Sequence, residues 1–258
     1  MKLTFGRVIP NAGYEARFRR DMKRLVKAMH KDVRAEMNKH YSEFAKDAAP
    51  VTLTTVMAKL RKKWYGIFNR RAKEMATWLV ETIGKRTQAS VMEQLRKIGF
   101  ALPPNYSRDQ QKLIKELAEQ STSLIKSIPQ TYLRDVQEAV REAVEGGGDM
   151  KELKERIKEM LTLPEEKAER RAELIAKDQI NKVTQNMALE SAKGIGATKG
   201  EWIHVPGEFS SRITHIEMDG KEFDLSVGMY DEDVGKNVMP GELPYCMCQF
   251  QAIFPGIE

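Results

Sequence analysis

From Tyr14 to about Asp47, apolar residues recur at three- and four-residue steps. Phe18, Met22, Leu25, Val26, Met29 and Val33 form the series, with Arg19, Arg20, Lys23, Lys27 and Lys31 between them. That period predicts an amphipathic helix with one apolar stripe and one basic face. Pro50 interrupts the pattern. A second helical stretch is expected from Thr52 to Ile98, with Val56, Leu60, Trp64, Ile67 and Phe68 on one face. Gly66 and Gly84 are the points where it is expected to kink or break. Gly99 and the Pro103-Pro104 pair end the helical region.

The middle of the chain continues in the same period. Ser107 is a candidate cap for a helix through Leu113, Leu117 and Leu124, with a break or kink expected at Pro129 and a further helix from Gln130 to Glu145. The three glycines at 146–148 are a stop signal. Asp149 and Glu152 have capping-box spacing for a short helix that follows. Pro164 suits a first helical turn, opening a helix through Ile175, Ile180, Val183 and Met187 that ends near Gly194-Ile195-Gly196. After Gly200 the helical period fades, glycine and proline rise, and short strands are expected around Glu201–Val205, Glu222–Leu225 and Gln249–Phe254. The fold class is therefore mainly α: long amphipathic N-terminal and central helices with a small C-terminal α+β unit. The expected division is a basic helical region over 1–104 and a second domain over 105–258, with helices in 107–195 and the compact α+β unit in 196–258.

Charge changes this picture by being unevenly spread. Residues 1–100 carry 23 Lys/Arg against 9 Asp/Glu, residues 101–200 carry 17 of each, and residues 201–258 carry 3 against 11. A basic front and an acidic back suit a nucleic-acid or acidic-protein partner for the first hundred residues; the same pattern also describes a solvated helical face. Arg19, Arg20, Lys23, Lys27, Arg61, Lys62, Lys63, Arg70 and Arg71 are the candidate phosphate or partner contacts. Trp64, Tyr65 and Trp78 lie among these basic residues and offer stacking groups, although Trp64 and Phe68 also have the spacing of core positions. No apolar run approaches the roughly 20 residues of a membrane span, and the first ten residues have no signal-peptide core, so the expected place of synthesis and folding is a cytoplasm. Cys246 and Cys248 are too close for an unstrained bridge, so disulfide stapling is not expected.

One ordered set of residues is more specific. Arg171-Ala-Glu-Leu-Ile-Ala-Lys-Asp178 begins a helix that reaches a Gly-x-Gly turn and then Trp202. Arg212-x-x-His215 follows, then Asp219-Gly220-Lys221, then Pro240-Gly241, and finally Cys246-x-Cys248. In this order and spacing the chain resembles the Mu F-like head-morphogenesis family of tailed bacteriophages over about Ser123 to Phe254. It departs from the family pattern at Met247, where an arginine is usual, and at Tyr245, where asparagine is frequent. A third departure is the stretch Glu208-Phe209-Ser210-Ser211, where an aspartate commonly precedes the Arg-x-x-His arginine.

The resemblance implies a minor head protein. It would associate with the portal protein inside the procapsid, with major capsid or scaffold protein and packaged double-stranded DNA as further partners, and assist head morphogenesis, DNA packaging or ejection. It places the protein in the virion near the portal vertex, made in the host cytoplasm, with no membrane partner and no enzymatic activity. Chemically, His215, Cys246 and Cys248 supply three good zinc ligands and His204 a fourth; otherwise His215 hydrogen-bonds in a turn and the cysteines pack as small apolar residues. Asp219-Gly220 reads as a tight hairpin turn. Asp224 and Asp231-Glu232-Asp233 lack calcium-loop spacing and are expected to be solvated. The competing classes are a metal-dependent nuclease or hydrolase built on His215 and the cysteine pair, and a phage-derived effector, since similar domains occur joined to toxin modules.

Overall fold

The computed structural model describes residues 3–4, 6–45, 49–97, 99, 105–147, 149–207, 209 and 211–254. Met1, Asp47, Ile98, Pro103, Pro104, Gly148, Glu208 and Ser210, on which parts of the sequence reading fall, lie outside these. The helices are α1 (Ala12–Phe44), α2 (Ala49–Lys97), α3 (Arg108–Glu145), α4 (Met150–Met160), α5 (Thr162–Gly194) and the short α6 (Ile213–Glu217). The strands are β1 (Leu3–Thr4), β2 (Lys199–Ile203), β3 (Glu222–Asp224), β4 (Met229–Asp231), β5 (Lys236–Val238) and β6 (Gln249–Phe254). The chain is mainly helical with a small C-terminal α+β region, as the periodicity predicts.

The helix starts are chemically marked. Asn11 Oδ1 accepts the Tyr14 N–H at 3.0 Å, and Ser107 and Gln110 exchange reciprocal side-chain-to-backbone bonds of 3.1 and 3.0 Å. Asp149 and Glu152 form the expected capping box at α4. Pro50 and Pro164 fall in the first turns of α2 and α5, where a missing N–H costs nothing.

At three positions where a kink or break is expected, there is no break. Helix α2 runs unbroken through Gly66 and Gly84, and α3 runs through Pro129. A glycine in a helix costs about 1 kcal/mol and a proline about 3 kcal/mol. The buried residues flanking them outweigh this: Leu60, Trp64, Phe68 and Ala72 around Gly66, and Ile125, Ile128, Tyr132 and Leu133 around Pro129. Gly84 also has a packing reason, since a Cβ there would sit 3.1 Å from Tyr106 Oη and 3.5 Å from Met187 Cε.

The main sheet is antiparallel in the order β1-β6-β2-β3, and β4 pairs with β5 in a separate two-stranded ribbon. Strands β1, β4 and β5 carry no clear alternation in sequence and were not expected. Two compact units are interleaved along the chain: unit 1 comprises Met1–Glu15, Thr77–Glu119 and Ala176–Glu258, and unit 2 comprises Ala16–Ala76 and Gln120–Ile175. Unit 2 is helical, its core made by Phe18, Met22, Met29, Met57, Leu60, Phe68, Tyr132 and their neighbours. In unit 1 the end of α5 (Ala188, Leu189, Ala192) shares a buried cluster with Trp202, Phe223, Phe250 and both cysteines. Among the described residues no helix is long and apolar enough to cross a membrane.

Candidate metal centre

Four potential metal donors come from three chain segments of unit 1. His204 follows the end of β2, His215 lies on α6, and Cys246 and Cys248 precede β6. Cys246 Sγ lies 3.3 Å from His215 Nδ1, and Cys248 Sγ lies 3.6 Å from the same atom. His204 Nδ1 lies 3.6 Å from Cys248 Sγ. The donor atoms of His215, Cys246 and Cys248 all fall within 4.8 Å of one another, and these three residues are buried. Both thiols are free. All four residues line a cleft of about 410 Å³ whose other walls include Phe209, Arg212 and Tyr245.

The remaining frame residues set this geometry. Asp219 Oδ1 accepts the His204 N–H at 2.7 Å, and the Gly220 N–H donates to Trp202 O at 2.8 Å while the Trp202 N–H donates to Lys221 O at 2.9 Å. Asp219-Gly220-Lys221 is therefore the exit of α6 into β3, clamping the end of β2. The expected hairpin turn is corrected on this point, because α6 and not a strand precedes it. Gly220 does take the left-handed conformation expected of it, at φ +73°. Arg212 donates to the Pro244 carbonyl at 3.2 Å, bridging α6 to the cysteine segment. Gly241 has φ +78°, and a Cβ there would meet Asn181 Nδ2 at 3.1 Å and Gln185 Cγ at 3.3 Å, so glycine lets the Pro240-Gly241 turn approach α5. Trp202 is fully buried, and its ring meets His215 edge-on at 5.2 Å.

Sequence reasoning missed a second layer. His215 Nε2 lies 3.1 Å from Asp231 Oδ2, and Asp231 is wholly buried. The expectation of a solvated acidic loop is thus overturned at Asp231, whose other oxygen accepts the Asp233 N–H at 3.0 Å. Asp224 Oδ1 caps its own turn through the N–H groups of Ser226 and Val227. From α5, Asn181 Nδ2 donates to the carbonyls of Cys246 (3.0 Å) and Cys248 (3.4 Å), and Asp178 Oδ1 accepts the Tyr245 N–H at 2.6 Å. Tyr245 has φ 59°, the one non-glycine residue with positive φ among those described. A left-handed tyrosine needs such support, and the frequent family asparagine would adopt that conformation more readily. The signal for these residues was present as Asp178, Asn181 and Gln185, a polar series at helical spacing along α5.

The electrostatics favour a thiolate at Cys246. Its pKa is lowered to about 4, first by the hydrogen bond from the Cys248 thiol and then by His215. Burial disfavours the charged form of His215, but Cys246 and Asp231 outweigh it and raise its pKa overall. Beside the Cys246 thiolate, the Cys248 thiol is pushed up, opposed by the Val205 backbone N–H and the Trp202 indole N–H. Chemically, the arrangement offers a two-thiol, two-imidazole chelate. Cys246, His215 and Asp231 also form a row of thiol, imidazole and carboxylate of the kind that activates nucleophiles.

The candidate cationic contacts lie in unit 2, away from this cluster in sequence. Lys23 pairs with Glu169 (3.0 Å) and Glu173 (2.8 Å), and Lys27 reaches Glu169 at 3.6 Å. Lys63 pairs with Asp32 and Arg71 with Glu74, both at 2.8 Å, and Arg61 bonds Gln137. Arg19 is half-buried near Glu173, whereas Arg20, Lys62 and Arg70 are exposed. Trp64 is a core residue that donates to Asp32 Oδ2 at 2.8 Å.

No curated protein and no solved structure matches the chain. A family model does, from the second half of α3 into β6, taking in the arginine-led helix and every member of the Trp202-to-Cys248 frame. The matched segment begins later than the Ser123 expected from the motif order and ends three residues before Phe254. The family suggests a phage head-morphogenesis protein. Residues 134–251 match the Phage Mu protein F like family, the family that the frame resembles.

Proposed function

We propose that this protein is a minor head protein of a tailed bacteriophage that associates with the portal vertex inside the procapsid and assists DNA packaging or ejection. The observation that carries this reading is the match of residues 134–251 to the Phage Mu protein F like family. The division into a basic 1–104 region and a 105–258 head-morphogenesis domain follows the same reading. In it the C-terminal part docks on portal, capsid or scaffold protein, and the N-terminal region meets packaged DNA or an acidic protein surface. Of the candidate cations, Arg20, Lys62 and Arg70 are exposed, while Lys23 and Lys63 already hold carboxylates. Contacts from exposed cations to phosphate would be sequence-blind and weaken steeply with salt. No catalytic role is assigned in this reading.

Co-expression with the portal protein of the same phage, followed by size exclusion and native mass spectrometry, tests it. The expected result is a complex of defined stoichiometry that survives moderate salt. Separate elution of the two proteins at every salt concentration would overturn portal docking.

A further inference from the structure

We propose that His204, His215, Cys246 and Cys248 bind one zinc ion as a tetrahedral structural centre of unit 1, with Asp231 as the outer partner that orients His215. The inference does not depend on the head-protein reading, since it rests on the donor set alone.

The distances fit the ion. Zinc bonds of about 2.3 Å to sulfur and 2.0–2.1 Å to nitrogen, set at tetrahedral angles, give a sulfur–nitrogen edge of about 3.6 Å. Three of the four sulfur–nitrogen separations are 3.3, 3.6 and 3.6 Å. His215, Cys246 and Cys248 already lie within 4.8 Å of one another, and His204 would complete the tetrahedron by turning its side chain inward. Two thiols and two imidazoles are a soft donor set that suits zinc and disfavours magnesium or calcium, which take oxygen ligands.

The surroundings fit it as well. Metal-bound histidines ordinarily donate their second ring nitrogen to a carboxylate, which fixes the tautomer and aims the free lone pair at the ion. Asp231 does this from a fully buried position, 3.1 Å from Nε2, leaving Nδ1 directed at both sulfurs. Asn181 pins the backbone carbonyls on either side of Met247, so the two sulfurs are presented together despite the tight Cys-x-Cys spacing. The Trp202 indole N–H is buried with no oxygen or nitrogen acceptor among the described residues, and the sulfur of Cys248 is beside it. A metal-bound thiolate is an acceptor such a donor can use.

The row Cys246–His215–Asp231 would also serve a thiol nucleophile, and the second thiol separates the two readings. A nucleophile needs one sulfur at its imidazole and an open approach. Here Cys248 occupies the same ring nitrogen at 3.6 Å and is itself met by His204. The clamp has a structural use, because it ties the end of β2, α6 and the entry to β6, elements of five or six residues each. Small units of this kind gain folding free energy from a bound metal.

The test is metal analysis of the full chain purified from zinc-supplemented culture without chelators. A single zinc ion per chain is expected by mass spectrometry of the metal content. Exchange with cobalt should give thiolate-to-metal charge transfer in the near ultraviolet and intense tetrahedral bands in the red. Cys248→Ser should lose the stoichiometric metal. Should that variant fail to fold, Asp231→Asn keeps the ligands and should weaken zinc binding about 10- to 100-fold, and His204→Ala should alter the cobalt spectrum. A metal-free wild-type chain whose Cys246 is rapidly alkylated in the presence of zinc would overturn the centre and leave a reactive thiol. A cobalt spectrum unchanged by His204→Ala would overturn the four-residue ligand set.

Discussion

The two units bury different kinds of side chain. In unit 2 the interior is almost entirely apolar, and the buried polar residues among those described are His30, Glu36 and Ser121. In unit 1 every residue of α5 from Asp178 to Gln185 is buried, and six of the eight are polar or charged: Asp178, Gln179, Asn181, Lys182, Thr184 and Gln185. An apolar stripe can be satisfied by many neighbours of suitable volume. A buried amide or carboxylate is stabilised by the particular partner that meets it, as at Asp178 and Asn181, although Gln185 Oε1 has none among the described residues. Unit 2 is therefore specified by pattern and unit 1 by pairing, and pairing is what fixes the geometry around His215 and the cysteines.

Substitutions that can and cannot be rescued by volume would sharpen this contrast. The largest effect is expected in unit 2, where Phe68→Ala should cost about 3–5 kcal/mol in denaturant unfolding, with most of the loss recovered by Phe68→Leu. A Phe68→Leu variant as unstable as the alanine one would show that this interior is not held by volume alone. In unit 1, Asn181→Ala should cost about 1–3 kcal/mol, because the carbonyls of Cys246 and Cys248 lose their donor. Here the size-matched Asn181→Leu should bring no recovery, and amide exchange at the Cys246–Cys248 segment should accelerate in both variants. Recovery by leucine would dissolve the distinction between the units.

The smallest effect is electrostatic. The Glu36 carboxylate is held down to about pH 2 by the ammonium groups of Lys39 and Lys59. A depressed folded-state pKa stabilises above the ordinary carboxylate range and loses that contribution as pH falls. Wild type should thus exceed Glu36→Gln slightly in stability at neutral pH, and the gap should close between about pH 4.5 and 2. Because both lysines are exposed, added salt should shrink the gap at neutral pH. A gap that persists at the acid end would assign the effect to packing.

The same distinction explains what could be read from sequence. The long helices, the capping box at Asp149, the main strands and the ordered frame from Trp202 to Cys248 are periodic or local signals, and local chemistry is visible in a string of residues. Continuity through Gly66, Gly84 and Pro129 was not, because it depends on burial supplied by distant segments. Asp231 was hidden for a related reason. Nothing in Asp231-Glu232-Asp233 distinguishes the first carboxylate, and only the pairing of β4 with β5 brings it inside against His215. The frame could be listed from sequence, but the roles of Asp219 at His204 and of Asn181 at the cysteine carbonyls required the fold.

The pairing of β1 with β6 places Leu3 opposite Phe254 and Thr4 opposite Ile253. Few contacts in a chain of this length are more widely separated, and closing so long a loop carries the entropy that slows non-local pairing. During synthesis the first residues of unit 1 emerge long before their partner strand, while every segment of unit 2 has been made by Ile175. The order of translation therefore favours a helical body that forms early and a sheet that seals late. A nascent chain arrested before Gln249 should hold unit 2 folded, with its leading strand still waiting.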